Sequence, residues 1–360
     1  MRVLHFNPIN NLAGATRSML TLMREMAKQQ PTYAVVMHDN EVADVCREVG
    51  AEVRTFYGKQ GMPRTRLQRM WKATRCVTKA IRDWDIDIVH SHSATGVRYV
   101  YPAARWTHRP IVCHARDNYS NNYFNRGLGW ANRVVAISNW VRDGLPPEIC
   151  QKTDVIYNAV AAPEQSECPS LHHDGPLVIG YAGRCVPEKG IDIFVDAIGE
   201  LGGRDDFVVQ IWGVPEAAEL EYAGVIRAKI DALPAELRQR VHIEPFRRDI
   251  DNFYRAVDIA VVPSRYPEPM GRAAIEAMAW NRATVVANHG GLSEIVTPGQ
   301  TGLCFEPGSA GSLGRELNSL LDDRDYMIQL ADSGRAEVLQ RFTAKAHLEA
   351  VMDVYNRLLS

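Results

Sequence analysis

The chain has no run of about 18 apolar residues, so no segment reads as a membrane-spanning helix. Its seven cysteines, at 46, 76, 113, 150, 168, 185 and 304, include no C-x-x-C pair. Scattered and odd in number, they argue against a disulfide framework or a metal cluster, and for reduced thiols in the cytosol. The opening M-R-V-L-H-F-N-P lacks the apolar core of a secretory signal and reads as a first strand. No G-x-G-x-x-G follows that strand, so the fingerprint of a nicotinamide dinucleotide site is absent there. Acid is missing from one stretch: Lys59 to Arg82 holds eight basic residues and no carboxylate.

What is present is the composition of a soluble globular protein, 46% hydrophobic, in a chain of 360 residues. That length is too great for one ordinary core, and two domains are expected. The net charge of −2 conceals an asymmetry. Residues 1–165 carry 22 Lys and Arg against 14 Asp and Glu, and the remainder carries 19 against 29. Within the acid-free stretch, Leu67, Met70, Trp71, Val77 and Ile81 keep helical spacing, with Arg69, Lys72, Arg75, Lys79 and Arg82 at other positions. A helix over 64–82 is therefore an ordinary solvated surface helix, or a face for an anionic membrane or an acidic partner. No groove-reading motif or base-stacking pattern accompanies the charge, so nucleic acid is not a partner.

Short apolar runs alternate with helical spacing throughout, which predicts parallel, doubly wound sheets. In the first half the strands read as 3–6, 34–37, 86–90, 111–113, 134–137 and 155–157. Two of them end in histidines, His90 and His92 in one and His114 in the other, at the strand ends where open α/β sheets bind ligands. Residues 161–176 are polar with three prolines and read as a linker. A second series follows, with strands at 177–182, 207–212, 241–243, 259–262 and 283–287, then helices at 313–331 and 344–358. D-I-D at 85–87 resembles a metal-binding pair but lies at the wrong end of its strand.

Three loops of the second half could carry chemistry. G-R-C-V-P-E-K-G (183–190) places Arg184 and Lys189 after a buried strand, a guanidinium fork and a point charge suited to a diphosphate. P-S-R-Y-P-E-P-M-G-R-A-A-I-E (263–276) brackets a glycine-led helix start with Glu268 and Glu276. Free N–H groups at such a start suit an anion. His289-Gly290-Gly291 allows close backbone approach to a ligand, or simply makes a turn. Each stretch alone also fits a solvated loop or an ordinary amphipathic helix.

These motifs in order, with G-G-L-S-E-I-V (290–296) and G-Q-T-G-L (299–303), resemble the retaining glycosyltransferases of family four. The resemblance implies a GT-B fold: two facing Rossmann-like, doubly wound α/β domains with a central cleft and C-terminal helices. It places an acceptor-side domain at 1–165, a donor domain at 166–340, and a last helix at 341–360 packing back on the first domain. It implies a nucleotide-sugar donor as substrate, no cofactor and no metal. Arg184, Lys189 and Gly14 would meet the diphosphate and Glu276 the ribose. Glu268 and His114 would act at the sugar, with backbone contacts from Met270, Gly271 and Arg272. Gly213, Phe246 and Arg247 would form the base-side loops. The acceptor would be a glycan or a lipid-linked chain, in surface polysaccharide or glycolipid assembly, by a cytoplasmic protein peripheral on the inner membrane face. The sequence departs from the family at Met270, often phenylalanine, at Ala13-Gly14, often a doubled glycine, and at Asn158-Ala159, usually asparagine-glycine. A nucleotide-sugar 2-epimerase shares the architecture but does not need the Glu-x7-Glu pair. A non-catalytic sugar-nucleotide-binding protein would not need Arg184, Lys189, Glu268 and Glu276 intact.

Overall fold

The computed structural model describes residues 1–360 except 10, 13, 58–64, 119–121, 216–220, 246 and 248. The chain divides into two compact units, Met1–Ala159 with Ala344–Ser360, and Val160–Thr343.

The first unit holds a seven-stranded parallel sheet: β1 (Val3–Asn7), β2 (Tyr33–Val36), β3 (Glu52–Thr55), β4 (Ile88–Ser91), β5 (Ile111–Ala115), β6 (Arg133–Ala136) and β7 (Thr153–Val155). Their order is β3-β2-β1-β4-β5-β6-β7. The second unit holds six: β8 (Leu177–Ala182), β9 (Phe207–Trp212), β10 (Val241–Glu244), β11 (Ile259–Val262), β12 (Ala283–Ala287) and β13 (Leu303–Phe305). Their order, β10-β9-β8-β11-β12-β13, is the same doubly wound pattern. Ile-Ala-Val-Val of β11 is buried at all four positions, as expected of a strand covered on both faces. The first crossover helix, Gly14–Ala27, turns Met19, Leu22, Met23 and Met26 inward at helical spacing.

Some elements differ from the sequence reading. β3 (Glu-Val-Arg-Thr) is a half-exposed edge strand with too little apolar character to register. The helix Val97–Trp106 runs through Pro102, a residue that normally argues against a helix interior. The helical stretch expected over 313–331 is two helices, Ala310–Asp322 and Arg324–Arg341, because Asp323 accepts from the N–H of Tyr326 and caps the second.

The last helix, Ala344–Leu359, packs Leu348, Val351, Val354 and Tyr355 against Val3, Ile88, Val112 and Val135 of the first sheet. The polar stretch 161–176 is tied to the second unit: Leu171 enters its core, and Arg324 donates to the carbonyls of His173 and Gly175 at 2.5 and 2.6 Å. Arg282, 1% exposed, donates to the carbonyls of Trp280, Val257 and Pro169 at 2.8, 2.9 and 2.5 Å. Removing a charged donor that satisfies buried acceptors strands those acceptors away from water. We expect Arg282→Met to lower stability by about 3 kcal/mol in urea unfolding followed by tryptophan fluorescence. A loss below about 1 kcal/mol would mean that water reaches those carbonyls.

Candidate functional site

In the second unit β8 and β11 are neighbours although two strands separate them in sequence. This is a topological switch point, where loops leave the sheet in opposite senses and a crevice opens beyond the strand ends. The loop after β8 carries Arg184 and Lys189, and the loop after β11 carries Ser264 and Glu268.

The loops meet backbone to backbone. Gly190 has φ +68°, and a Cβ there would lie 1.9 Å from the carbonyl oxygen of Pro263. From the loop after β12, Cβ atoms on Gly290 and Gly291 would come within 2.7 Å of the Glu268 oxygen and 2.5 Å of the Met270 Cα. The glycine pair thus fits loop onto loop, and Gly290, at φ +60°, also holds the left-handed backbone that favours glycine. The N–H of Gly291 donates to the Glu268 carbonyl at 2.6 Å, and His289 Nε2–H donates to the Ser264 carbonyl at 2.8 Å.

Held this way, the Glu268 carboxylate meets two donors at one oxygen. Lys189 Nζ lies 2.5 Å and Ser264 Oγ 2.6 Å from Oε1. Oε2 has no hydrogen-bond partner among the described residues. Glu276 forms a separate cluster: Arg272 Nε donates to Oε1 at 2.6 Å and the Tyr254 hydroxyl to Oε2 at 3.3 Å. Gly271, at φ +83°, begins the helix Arg272–Ala279 without a side-chain cap. The Arg184 side chain is exposed and makes no ion pair among the described residues.

The structure therefore brings Lys189 to Glu268 and Arg272 to Glu276. Met270 is buried, and Gly14 is exposed in the first unit with open space around it. Gly213 presses against the Gly183 carbonyl, where a Cβ would sit 1.8 Å away. Arg247 lies 4.8 Å over the Trp212 ring and pairs with Asp249. Phe246 lies outside the described residues. Sequence reasoning missed Ser264 and Tyr254 as partners of the two glutamates. Ser264 was detectable as a hydroxyl four residues before Glu268, but nothing near Tyr254 marked it. Asp85 and Asp87 both engage Arg2 at the amino end of the first sheet, Asp87 through the Arg2 N–H at 2.8 Å.

The first unit has its own switch point between β1 and β4. His5 pairs in register with His90, and Ser91 with Cys113, which aligns His92 with His114. Alternation along strands then sets all four imidazoles on one face. Nδ1 of His5 and Nε2 of His92 are 3.0 Å apart, and Nε2 of His90 and Nδ1 of His114 are 2.7 Å apart. The Tyr355 hydroxyl bonds Nδ1 of His90. His347, stacked 6.1 Å from His114, donates its Nδ1–H to the Tyr157 carbonyl at 2.7 Å. Ring nitrogens of His5, His90 and His92 lie within 4.8 Å of one another, a spacing that could admit a metal ion. Both nitrogens of His90 are already engaged, so the arrangement as it stands is a hydrogen-bonded cluster.

Burial holds these rings neutral. It lowers His5 to about 3 and His347 to about 4, and takes His90, His92 and His114 well below their ordinary value, helped by their mutual repulsion and by Arg116. Unfolded histidine binds a proton near pH 6.5, so below that pH the unfolded chain holds more protons than the folded one. Stability is thus complete above about pH 6.5 and falls as the pH drops toward the folded values. Each neutral histidine costs the fold about 1.4 kcal/mol between pH 7.5 and 5.5. We expect the urea midpoint to fall steeply over that interval, and less steeply in His5→Phe. Equal slopes in the two proteins would show that His5 takes up a proton in the folded state.

Residues 164–337 match the family described as Glycosyl transferases group 1, and residues 12–162 that described as Glycosyltransferase Family 4. An uncharacterized glycosyltransferase of Methanocaldococcus jannaschii is 26% identical over 288 residues, 76% of each chain. A lipopolysaccharide core mannosyltransferase, LpsB, of Rhizobium meliloti is 28% identical over 184 residues, 50% of this chain and 52% of its own. Among solved structures, Anabaena HepE in complex with UDP superposes with a TM-score of 0.83 at 21% identity, covering 99% of this chain and 100% of that one.

Proposed function

From the premise that the chain belongs to the group 1 glycosyltransferases and has their GT-B fold, we propose that it moves a sugar from a nucleotide diphosphate with retention and without a metal. The acceptor we propose is a glycan or lipid-linked chain of a surface polysaccharide or lipopolysaccharide. The observation that carries this reading is the Lys189–Glu268–Ser264 contact beside the exposed Arg184, at the switch point of the second sheet.

The residues divide the work by charge. A leaving diphosphate gathers negative charge as the glycosidic bond stretches, and preset cations stabilise it at no reorganisation cost. Lys189 and Arg184 supply that charge where another enzyme would use a metal. Oε2 of Glu268 is left to accept a hydroxyl of the sugar, since Oε1 already takes two donors. Glu276, oriented by Arg272 and Tyr254, accepts from the ribose hydroxyls. Retention follows if the acceptor attacks on the face that the diphosphate vacates, its proton passing to a leaving phosphate oxygen. His114 and Gly14 are assigned to the sugar and the diphosphate by family likeness. The sugar transferred is a hexose in this reading, and mannose or N-acetylglucosamine have precedent in relatives named for those activities.

With a panel of UDP-, GDP- and ADP-sugars, one donor should raise the melting temperature and release its diphosphate slowly with EDTA present. Lys189→Ala should slow that release by about 10²–10³-fold. Activity abolished by EDTA and restored by a divalent ion would refute metal independence.

A lipid-linked acceptor also fits the surface of the first unit. The helices Arg66–Asp83 and Val97–Trp106 border a groove of about 500 Å³ lined by Trp71, Arg75, Lys79, Arg82, Asp83 and Trp106. The two indoles are 61% and 73% exposed, and Asp83 is neutralised by Arg54. Exposed indoles beside cations that make no ion pair among the described residues suit the headgroup layer of an anionic membrane. Binding to phosphatidylglycerol vesicles at low salt is expected, weakened about thirtyfold by combining Lys79→Ala with Arg82→Ala. Equal binding to neutral vesicles, or none to anionic ones, would remove the membrane from this reading.

A further inference from the structure

A second ion pair joins the two loops that carry Lys189 and Glu268. Asp192 is the second residue of the helix Ile191–Glu200, which follows Gly190 directly. Arg265, on the loop after β11, approaches both oxygens of the Asp192 carboxylate, Nη2 at Oδ2 and Nε at Oδ1, the latter at 3.4 Å. The Tyr222 hydroxyl, from the helix Glu221–Asp231, donates to Oδ1 at 2.7 Å. A forked guanidinium on a carboxylate fixes direction as well as distance. The backbone of the same loop is engaged too. The N–H of Arg265 donates to the Glu188 carbonyl at 2.9 Å, and that of Tyr266 to the same oxygen at 3.2 Å. That carbonyl belongs to the peptide bond that leads into Lys189. Arg265 thus ties its side chain three residues beyond Lys189 and its backbone one residue before it. Lys189 lies between the two ties, at the end of the tight turn Pro187–Lys189.

We propose that Asp192 and Arg265 are positioning residues: their ion pair clamps the backbone on both sides of Lys189 and holds its ammonium where charge grows on a leaving diphosphate. This rests on the placement of Lys189 at the diphosphate given above. The clamp has a chemical purpose there. Lysine is a point charge on a flexible stem, and its ammonium cannot fix its own direction as a guanidinium fork does. The place of its charge is therefore set by its backbone. With that backbone held, the ammonium does not drift as the glycosidic bond stretches, and the charge is preset for the transition state. The Arg265 side chain is 46% exposed, and an ion pair that open to water adds little to stability. Its removal therefore probes the position of Lys189 more than the folding of the unit.

The test uses the full chain with Asp192→Asn and with Arg265→Ala, which removes the guanidinium and leaves both backbone N–H groups in place. In each, hydrogen–deuterium exchange at the Arg265 and Tyr266 amides should quicken. Diphosphate release at saturating donor should slow by about 10–10²-fold, with little change in donor KM. On a Lys189→Ala background neither change should slow release further, because the clamp then has no ammonium to place. A purely structural role would slow release equally on both backgrounds, and that result would overturn the proposal. Unchanged exchange at the two amides would overturn it as well. Arg265→Ala, at an exposed side chain, carries the test if Asp192→Asn does not fold. The exchange rates need no donor, so the clamp is read whether or not a nucleotide-sugar is turned over. Release indifferent to Lys189→Ala would count against the placement of Lys189 at the diphosphate, and unchanged exchange against the clamp.

Discussion

The second unit depends on contacts where only hydrogen atoms fit. Gly190 abuts the Pro263 carbonyl, and Gly290 and Gly291 abut the backbone from Pro267 to Met270. A methyl group at any of the three would have to displace main chain, which cannot yield as a flexible side chain can. These approaches bring the end of the β8 loop against the β11 loop, where Lys189 pairs with Glu268. A larger residue at 190 would also have to adopt a left-handed backbone that side chains disfavour. The charge pair is thus a consequence of backbone packing, and its geometry is set before any ligand arrives.

The two units share one strand order and solve the same problem with opposite chemistry. At the switch point of the second, half-buried charged groups keep access to water and are neutralised in pairs. At that of the first, uncharged rings are buried completely. Full burial of an ionised imidazole would cost more than its hydrogen bonds return, so the rings stay neutral and bond to one another. A cluster of that kind has fixed donors and acceptors, and its directions are set by whichever member cannot accept both ways. Tyr355 holds that position because a phenol has one proton to place.

Much of this was legible in the chain. Apolar runs of four to six residues with polar ends marked nearly all central strands, because a strand covered on both faces has to be apolar throughout. The same rule hid β3, whose edge position lets glutamate and arginine stand in it. The helix at Pro102 was hidden because proline argues locally against what tertiary packing permits. Of the candidate site, the residues carrying formal charge were visible by type and spacing. Their partners Ser264 and Tyr254 were not, since a serine at a strand end and a tyrosine 22 residues before Glu276 have no local signature.

By itself the sequence determined the class of fold, the order of the strands in the chain, and which loops carry cations and carboxylates, since these follow from local periodicity and residue type. The tertiary structure decided which charges meet. Lys189 and Glu268 are 79 residues apart, and His90 and Tyr355 are 265 apart. Contacts across such separations depend on strand order within a sheet and on how closely loops and helices pack onto its end, and local sequence encodes neither.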